Sequence, residues 1–375
     1  MTRAIFMWCA ATALLHSLVR ALPKLVLDTD LGTDFDDAWA LTYLLSRSQP
    51  SDANRLFDFV LCQVSTFNTT KRALIAARMM HDVGRYDVPI AVGDYTGEDS
   101  VPQFGAVGNY SLEQFVADGG TVLRGTAQLA LLMRAATAED PLFIAEIAPA
   151  TSLGGVIASD PTIAANVIVV AMSGSIRHGY GNSSSPSAEY NVYQNVTASQ
   201  HMYAAQWLSP LMTAPLDTSG LLRCTVPEYT GLLASSSSYA KMVLRNFGVW
   251  CNCDPKTQVY TDILYDAQAA YQVRAPLSAA ARFNAQQLVI ASLRFSVALQ
   301  LSFYATQWSP GGPSGPPRTP GLTFEVLRLS VNASSFTVPD PAGQLVWTTT
   351  SFPEGLESDA HVVCGGLIAW ITTQQ

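Results

Sequence analysis

The residues in this sequence best able to do chemistry are five aspartates, Asp28, Asp30, Asp34, Asp36 and Asp37. They fall within ten positions of the stretch KLVLDTDLGTDFDDAWALTYLL, Lys24 to Leu45. Carboxylates at that spacing repel one another, and a folded loop keeps them ionised only when a cation or a set of donors compensates. A hard divalent ion does so, because magnesium and calcium accept carboxylates and backbone carbonyls and fill their remaining positions with water. The duller reading has Asp34 or Asp36 capping the next helix and the others solvated, but capping employs only one side chain of the set. An EF-hand loop does not fit: Gly32 is the fifth residue from Asp28 rather than the sixth, and Trp39 stands where the closing glutamate belongs.

The elements that must hold these acids can be read on both sides of them. Leu25 to Leu27 is a short apolar run of the buried parallel-strand type, and a helical pattern takes over at Ala38. The acids therefore sit at a strand's C-terminal end, where open α/β sheets place their ligands. Further along, 57–66 reads as a strand, 70–84 as a helix with a glycine stop, and 88–92 as a strand. Residues 125–140 read as a helix, 142–148 as a strand, and 166–172 as another strand after a short helix near Thr151. This alternation predicts βαβ units and an α/β fold with a mostly parallel open sheet flanked by helices, a Rossmann-like doubly wound arrangement in a single main domain. That domain is expected over 22–308. A proline- and glycine-rich connector, SPGGPSGPPRTPG, follows at 309–321, and a strand-and-turn segment at 322–375 is expected to pack back on the main domain.

Residues 1–21 carry a basic Arg3, an apolar stretch from Ile5 to Leu15, and small residues Val19 and Ala21 flanking a cut, which is signal-peptide organisation. The expectation is a secretory-pathway or extracellular protein. Five Asn-X-Ser/Thr sequons, at Asn68, Asn109, Asn182, Asn195 and Asn332, agree with export of a glycoprotein. Neither apolar stretch is expected to be a stable membrane span: the first is short, and Gln287 to Ala305 carries Arg294 and Gln300 near its middle. Loss of residues 1–21 takes Lys and Arg from 21 to 19 against 29 acids, a net charge of −10. So acidic a chain is not built for nucleic acid or an anionic membrane, which leaves a neutral small molecule or a cation as partner. With 49% hydrophobic and 13% charged residues it can bury a large core. Of the cysteines, Cys251 and Cys253 are too close for an easy mutual bridge, so one of them is expected to pair with Cys224, leaving Cys62 free. Their CNC spacing is a poor zinc signal.

Several segments, in order, resemble one family. DTDLGTDFDDAWAL is similar to the N-terminal signature DxDPGxDDAxAL of the inosine-uridine-preferring nucleoside hydrolases, with Leu31 for the proline and two extra residues before the paired aspartates. The insertion leaves the register of Asp34 against Asp36 open. FNTTKRALIAA places Asn68 after the second strand, and GRYDVPIAVG resembles GRxDVPVxxG. EIAPATSLGG resembles the GPLTNL turn, keeping Pro149, Thr151 and Leu153. GNSSSPSAEYNVYQN resembles GNxxxxAEFNxxxDPEA and keeps Gly181, Asn182, Ala188, Glu189 and Asn191. PLDTSGLL looks like PLDVTHxxL, and LYDAQAAY resembles HDPxAxA with Asp266 kept.

The resemblance implies hydrolysis of the N-glycosidic bond of ribonucleosides to ribose and free base, through an oxocarbenium-like state. It implies Ca2+ held by Asp30, Asp37, Asp266 and the backbone carbonyl of Ile147, with Asp30 also the general base. Asp36 would bind a ribose hydroxyl, and Asn68, Asn182, Glu189 and Asn191 the rest of the sugar. Tyr265 stands where many members have the histidine that protonates the leaving base. A phenol can donate a proton, and Tyr265 or the nearby Trp250 could instead stack on the base; each also reads as a core aromatic, the better reading for Trp250. A homodimer or homotetramer is also implied. Two other readings stand beside this one: a secreted nucleoside- or ribose-binding pseudoenzyme, and a haloacid-dehalogenase-like phosphatase with Asp28 as nucleophile and Asp30 as acid.

Overall fold

The apolar run ahead of the aspartates is a strand, β1 (Lys24–Thr29), buried from Leu25 onward. In the computed structural model, which describes residues 22–273, 323–351, 363–364, 367–369 and 371–372, β1 lies inside a ten-stranded sheet. The other strands are β2 (Asp58–Val64), β3 (Ile90–Val92), β4 (Val122–Arg124), β5 (Leu142–Glu146), β6 (Val167–Ala171) and β7 (Leu211–Thr213), then β8 (Thr323–Val331), β9 (Thr337–Pro339) and β10 (Gln344–Ser351). Their order is β4-β3-β2-β1-β5-β6-β7-β10-β8-β9. The eight from β4 to β10 run parallel, and β8 and β9 close the far edge antiparallel. The helices that matter for the site are α1 (Asp36–Arg47), α2 (Thr69–Asp82), α3 (Ala127–Ala135), α4 (Thr151–Ser159), α5 (Tyr190–Gln194), α6 (Val196–Ala204), α7 (Ser238–Cys251) and α8 (Tyr265–Gln272).

Period-two alternation divides the strands between two apolar layers. Leu25 and Leu27 of β1 join Cys62, Val64, Phe143 and the helices α1, α7 and α8 on one face. Val26 joins Leu61, Ile144, Val169 and the helices α4 and α6 on the other. Both faces are covered, which is why the strands read as unbroken apolar runs. Helices α4 and α6 pack so closely that a Cβ on Gly154 would come within 2.6 Å of the Ala198 backbone. The chain winds outward from β1 through β2, β3 and β4, then returns to add β5 on the other flank of β1. The crevice beyond the ends of β1 and β5 is therefore a topological switch point, the place where such sheets bind ligands. Asp28 lies in register with Gln63 of β2 and Glu146 of β5 at that end.

Several elements differ in extent from the sequence expectation. Helix α1 starts at Asp36, two residues before Ala38, so the paired aspartates form its first turn. The third strand is only Ile90–Val92. Helix α3 stops at Ala135 rather than Asp140, because Ala136 is extended, Asn166 Nδ2 donates to its carbonyl (3.0 Å), and Thr137 to Asp140 form a turn. The C-terminal segment enters the sheet itself: β10 pairs with β7 in parallel, and β8 pairs with β10. The expected signal peptide (1–21), the apolar stretch Gln287 to Ala305 and the connector (309–321) lie outside the described residues. No described helix is long and apolar enough to cross a membrane.

The cysteine pairing corrects the expectation. Cys224 pairs with Cys364, and Cys251 with Cys253. Asn252, the C-cap of α7, adopts the left-handed conformation (φ 49°, ψ 46°) and turns the chain back, so the flanking Cα atoms stand 5.2 Å apart, within a disulfide's reach. Cys62 is free and buried, as expected.

Candidate functional site

The loop after β1 is shaped from below by small polar side chains. Asp28 is fully buried and accepts a short hydrogen bond from Ser65, whose oxygen lies 2.6 Å from that of Ser152. Thr29 donates a short bond to Asp37 and accepts one from the backbone N–H of Leu31 (3.1 Å). Gly32 follows at φ +120°, with Ile75 and Val101 2.6 Å from where its Cβ would be, so a side chain there would be both strained and crowded. Phe35 then buries itself against Phe247 and Trp250, ring centroids 4.9 and 4.7 Å away. This packing anchors the two-residue insertion. It points Asp34 and Asp36 into one cavity while Trp250 stays an aromatic partner of Phe35, outside the lining.

The cavity, of about 390 Å³, is lined by Asp30, Asp34, Asp36, Asp37, Asp266 and Glu189. Asn191 and Thr33 complete its polar lining, Met172 adds an apolar side chain, and Tyr180, Tyr190, Tyr193 and Tyr265 supply aromatic surface. Asp36 and Asp266 stand in the first turns of α1 and α8, where helix dipoles favour negative charge, and the Asp266 N–H donates to Asp36 Oδ2 (3.1 Å). Asp36, Asp37 and Asp266 each bring a carboxylate oxygen within 4.8 Å of the other two, all buried. Asp266 Oδ1 has no hydrogen-bond partner. Burial, then the neighbouring aspartates, hold all three carboxyls well above the usual range. Such a group must take up protons or a cation, and oxygen ligands with an orphaned buried acceptor fit a hard divalent metal.

Asp30 lines the same cavity. Burial pushes its carboxyl up to about 6, offset in part by the guanidinium of Arg72, 3.9 Å from its Oδ2. Arg72 is fully buried, pairs with Asp99 (2.6 Å) and donates to the carbonyls of Leu31 and Thr66. Burial likewise raises Asp34 to about 6. Glu189 is the N-cap of α5 and accepts from the backbone N–H groups of Gly174 (3.0 Å), Asn191 (2.7 Å) and Val192 (3.2 Å). Burial raises it to about 7 against those three donors. Asn191 Nδ2 donates to the carbonyls of Met172 (3.1 Å) and Ile147 (3.4 Å); Ile147 itself is fully buried and does not line the cavity. Tyr265, half-buried, is pushed up to about 12 by burial and by Asp36, Asp34 and Asp262.

Of the residues expected from sequence, Asp30, Asp36, Asp37, Glu189, Asn191, Tyr265 and Asp266 come together at this cavity. The tight carboxylate trio contains Asp36 where Asp30 was expected and does not include Asp34, although Asp34 and Asp36 both line the cavity. Asn68 and Asn182 do not line the cavity. Asn68 is the N-cap of α2, accepting from Lys71 N–H (3.1 Å) and donating to Glu98 (2.8 Å). Asn182 is exposed in a tight turn at φ 58°, a conformation asparagine tolerates. Asp28, the nucleophile of the phosphatase reading, does not reach the cavity, so that reading falls. Sequence reasoning missed Thr33, Tyr180, Tyr190, Tyr193 and Arg72. Tyr190 and Tyr193 flank the Glu189 motif at helical spacing and were open to detection; Arg72 had no local signal.

Carboxylates and an amide at one end of a cavity, with planar aromatic rings beside them, suit a polyhydroxyl group carrying a flat substituent. The sequence model of the family described as inosine-uridine preferring nucleoside hydrolase matches residues 25–305. No curated protein matches the chain. Among solved structures it is similar to a plant nucleoside hydrolase (13% identity, TM-score 0.64, covering 94% of this chain and 99% of that one). It is also similar to an inosine-guanosine nucleoside hydrolase (14%, TM-score 0.65, 94% and 99%). A third is a purine-preferring ribonucleoside hydrolase from Gardnerella vaginalis (14%, TM-score 0.58, 93% and 99%). At these identities the likeness is one of fold.

Proposed function

The chain belongs to the inosine-uridine preferring nucleoside hydrolase family and is a glycosyl hydrolase, and from that premise we propose that it cleaves ribonucleosides to ribose and free base using calcium. The observation that carries the proposal is the gathering of Asp30, Asp36, Asp37, Asp266, Glu189 and Asn191 around one cavity, with Asp36 and Asp266 230 residues apart. Asp36, Asp37 and Asp266, with Asp30 and the carbonyl of Ile147, would hold the ion. Bound calcium supplies a fixed positive charge that acidifies a water and anchors ribose hydroxyls.

Asp30, a buried carboxylate lining the cavity beside Arg72, takes the proton of the attacking water. Asp36, Glu189 and Asn191 receive ribose hydroxyls. Glu189 is already oriented by three backbone donors, so it enters the reaction without reorganising. As the glycosidic bond lengthens, positive charge grows on the sugar ring, and the surrounding carboxylates stabilise it. Tyr265 offers its ring face to the base, and the neighbouring tyrosines limit water on that side.

The test is release of reducing sugar from inosine, adenosine, guanosine, uridine and cytidine by the purified protein, with and without a calcium chelator. Chelator-sensitive release establishes the reaction and ranks the bases. Calcium-dependent nucleoside binding without release would instead identify a binding protein built on a hydrolase scaffold. The proposal extends to a secreted, glycosylated enzyme that acts on extracellular nucleosides and assembles as a homodimer or homotetramer. It rests there on residues 1–21, the sequons and the family, and retention of the full-length protein inside cells, or a monomer in sedimentation, would refute those parts.

A further inference from the structure

A base leaving a sugar carries away the electron pair of the broken bond, and it leaves more readily when a donor meets that charge. Among the described residues lining the cavity there is no histidine, lysine or arginine, but there are four tyrosines. They are not equivalent. The phenol of Tyr190 lies under the influence of Asp30, Arg72, Asp99 and Asp37, at the carboxylate end. Tyr193 is 60% exposed, against 42% for Tyr180, and no described hydrogen bond fixes its hydroxyl. Among the described residues no hydrogen bond fixes the hydroxyl of Tyr265, whose ring meets that of Tyr180.

Tyr180 is different. Its hydroxyl oxygen accepts the backbone N–H of Tyr190 at 2.8 Å. That bond fixes the oxygen, leaves its O–H to be given to another acceptor, and stabilises negative charge as the proton departs, as an oxyanion-hole donor does. The turn that presents the ring is itself tied down. Tyr180 N–H donates to Ser187 Oγ (3.3 Å), Ser187 N–H donates to Ser175 Oγ (2.9 Å), and Gly181 takes the left-handed conformation (φ 65°) that closes the turn. The Tyr180 ring meets that of Tyr265 edge to face, centroids 6.1 Å apart, and both rings line the cavity.

We propose that Tyr180 is the residue that donates a proton to the departing base, with the backbone N–H of Tyr190 holding its oxygen; this rests on the nucleoside reading above. In the step, the glycosidic C–N bond breaks and its electron pair stays on the base, which takes the Tyr180 proton. The water oxygen bonds to the anomeric carbon and its proton goes to Asp30. Solvent then returns a proton to Tyr180 and removes the one on Asp30, so atoms and charge balance. Burial and the nearby Glu189 push the Tyr180 phenol upward, so it starts the cycle protonated, as an acid must.

The experiment compares Tyr180→Phe, Tyr265→Phe and the unaltered protein on inosine and on p-nitrophenyl β-D-ribofuranoside, whose leaving group departs as a stable anion needing no proton. In Tyr180→Phe the ratio of kcat on inosine to kcat on the nitrophenyl riboside should fall by about 100-fold, with KM for inosine little changed. In Tyr265→Phe the two rates should move together. An unchanged ratio in Tyr180→Phe, including equal loss on both substrates, would overturn the assignment while leaving nucleoside hydrolysis standing. Failure of the unaltered protein to cleave either substrate would sink both.

Discussion

Removing the metal should make the protein lose stability as pH rises, and the size of the effect follows from its buried carboxyls. Asp30 moves from 3.8 to about 6 on folding, chiefly through burial. A carboxyl so raised binds its proton more tightly in the folded state than in the open chain, so the metal-free fold is disfavoured as pH climbs above 3.8, and the loss is complete once pH passes about 6. For Asp30 alone this amounts to roughly 3 kcal/mol. Asp36, Asp37 and Asp266 are shifted the same way and add to it. Calcium reverses the trend, because a cation replaces the protons; at one hundred times its Kd it contributes about 2.7 kcal/mol. At roughly 2 °C per kcal/mol for a large domain, the gap in melting temperature between calcium and chelator should be near zero at pH 4 and at least about 5 °C at pH 7. Thermal unfolding by circular dichroism at pH 4 to 8 measures it, and Asp266→Asn should collapse the gap. A gap independent of pH, or one that survives in both Asp266→Asn and Asp37→Asn, would refute the placement of the ion.

Three further outcomes are expected. Asp30→Asn should lower kcat by about 100- to 10,000-fold in steady-state assays while the far-ultraviolet spectrum is retained. Asn68→Ala should cost about 1 kcal/mol in chemical denaturation, through loss of the α2 cap, and leave KM unchanged; a large rise in KM would return Asn68 to the sugar site. Cys364→Ser opens a crosslink between residues 140 apart and should cost about 2–5 kcal/mol. Cys253→Ser opens one spanning only two positions, so the same denaturation assay should show a much smaller loss.

Much of the architecture was open to reading because its signals are local. A buried strand needs only its own apolar run, and a helix only its repeat and its stop, so β1, β2, β5, β6, α1 and α2 lie close to where their patterns put them. The ends were less legible: α3 terminates where Asn166, 30 residues on, captures the Ala136 carbonyl. Glu189 and Asn191 sit in the cavity as their motif implied, whereas Asn68 and Asn182, matched just as well by pattern, serve a helix cap and an exposed turn. A motif constrains residue type and order, but not which way a side chain faces once its loop packs.

What the sequence determined by itself was the class of fold, the end of the sheet where acids collect, and the excess of negative charge that calls for a cation, since each follows from composition or from neighbours a few positions apart. The tertiary structure alone decided which acids meet. Phe35 wedges against Phe247 and Trp250, and so turns Asp36, not Asp34, toward Asp37 and Asp266. Packing between residues 230 positions apart also brought Asp266 to the start of α1, and the folding of separate loops set Arg72 beside Asp30 and the Tyr190 N–H against Tyr180. Distances of that kind depend on how the helices seat on the sheet, and no local pattern carries them.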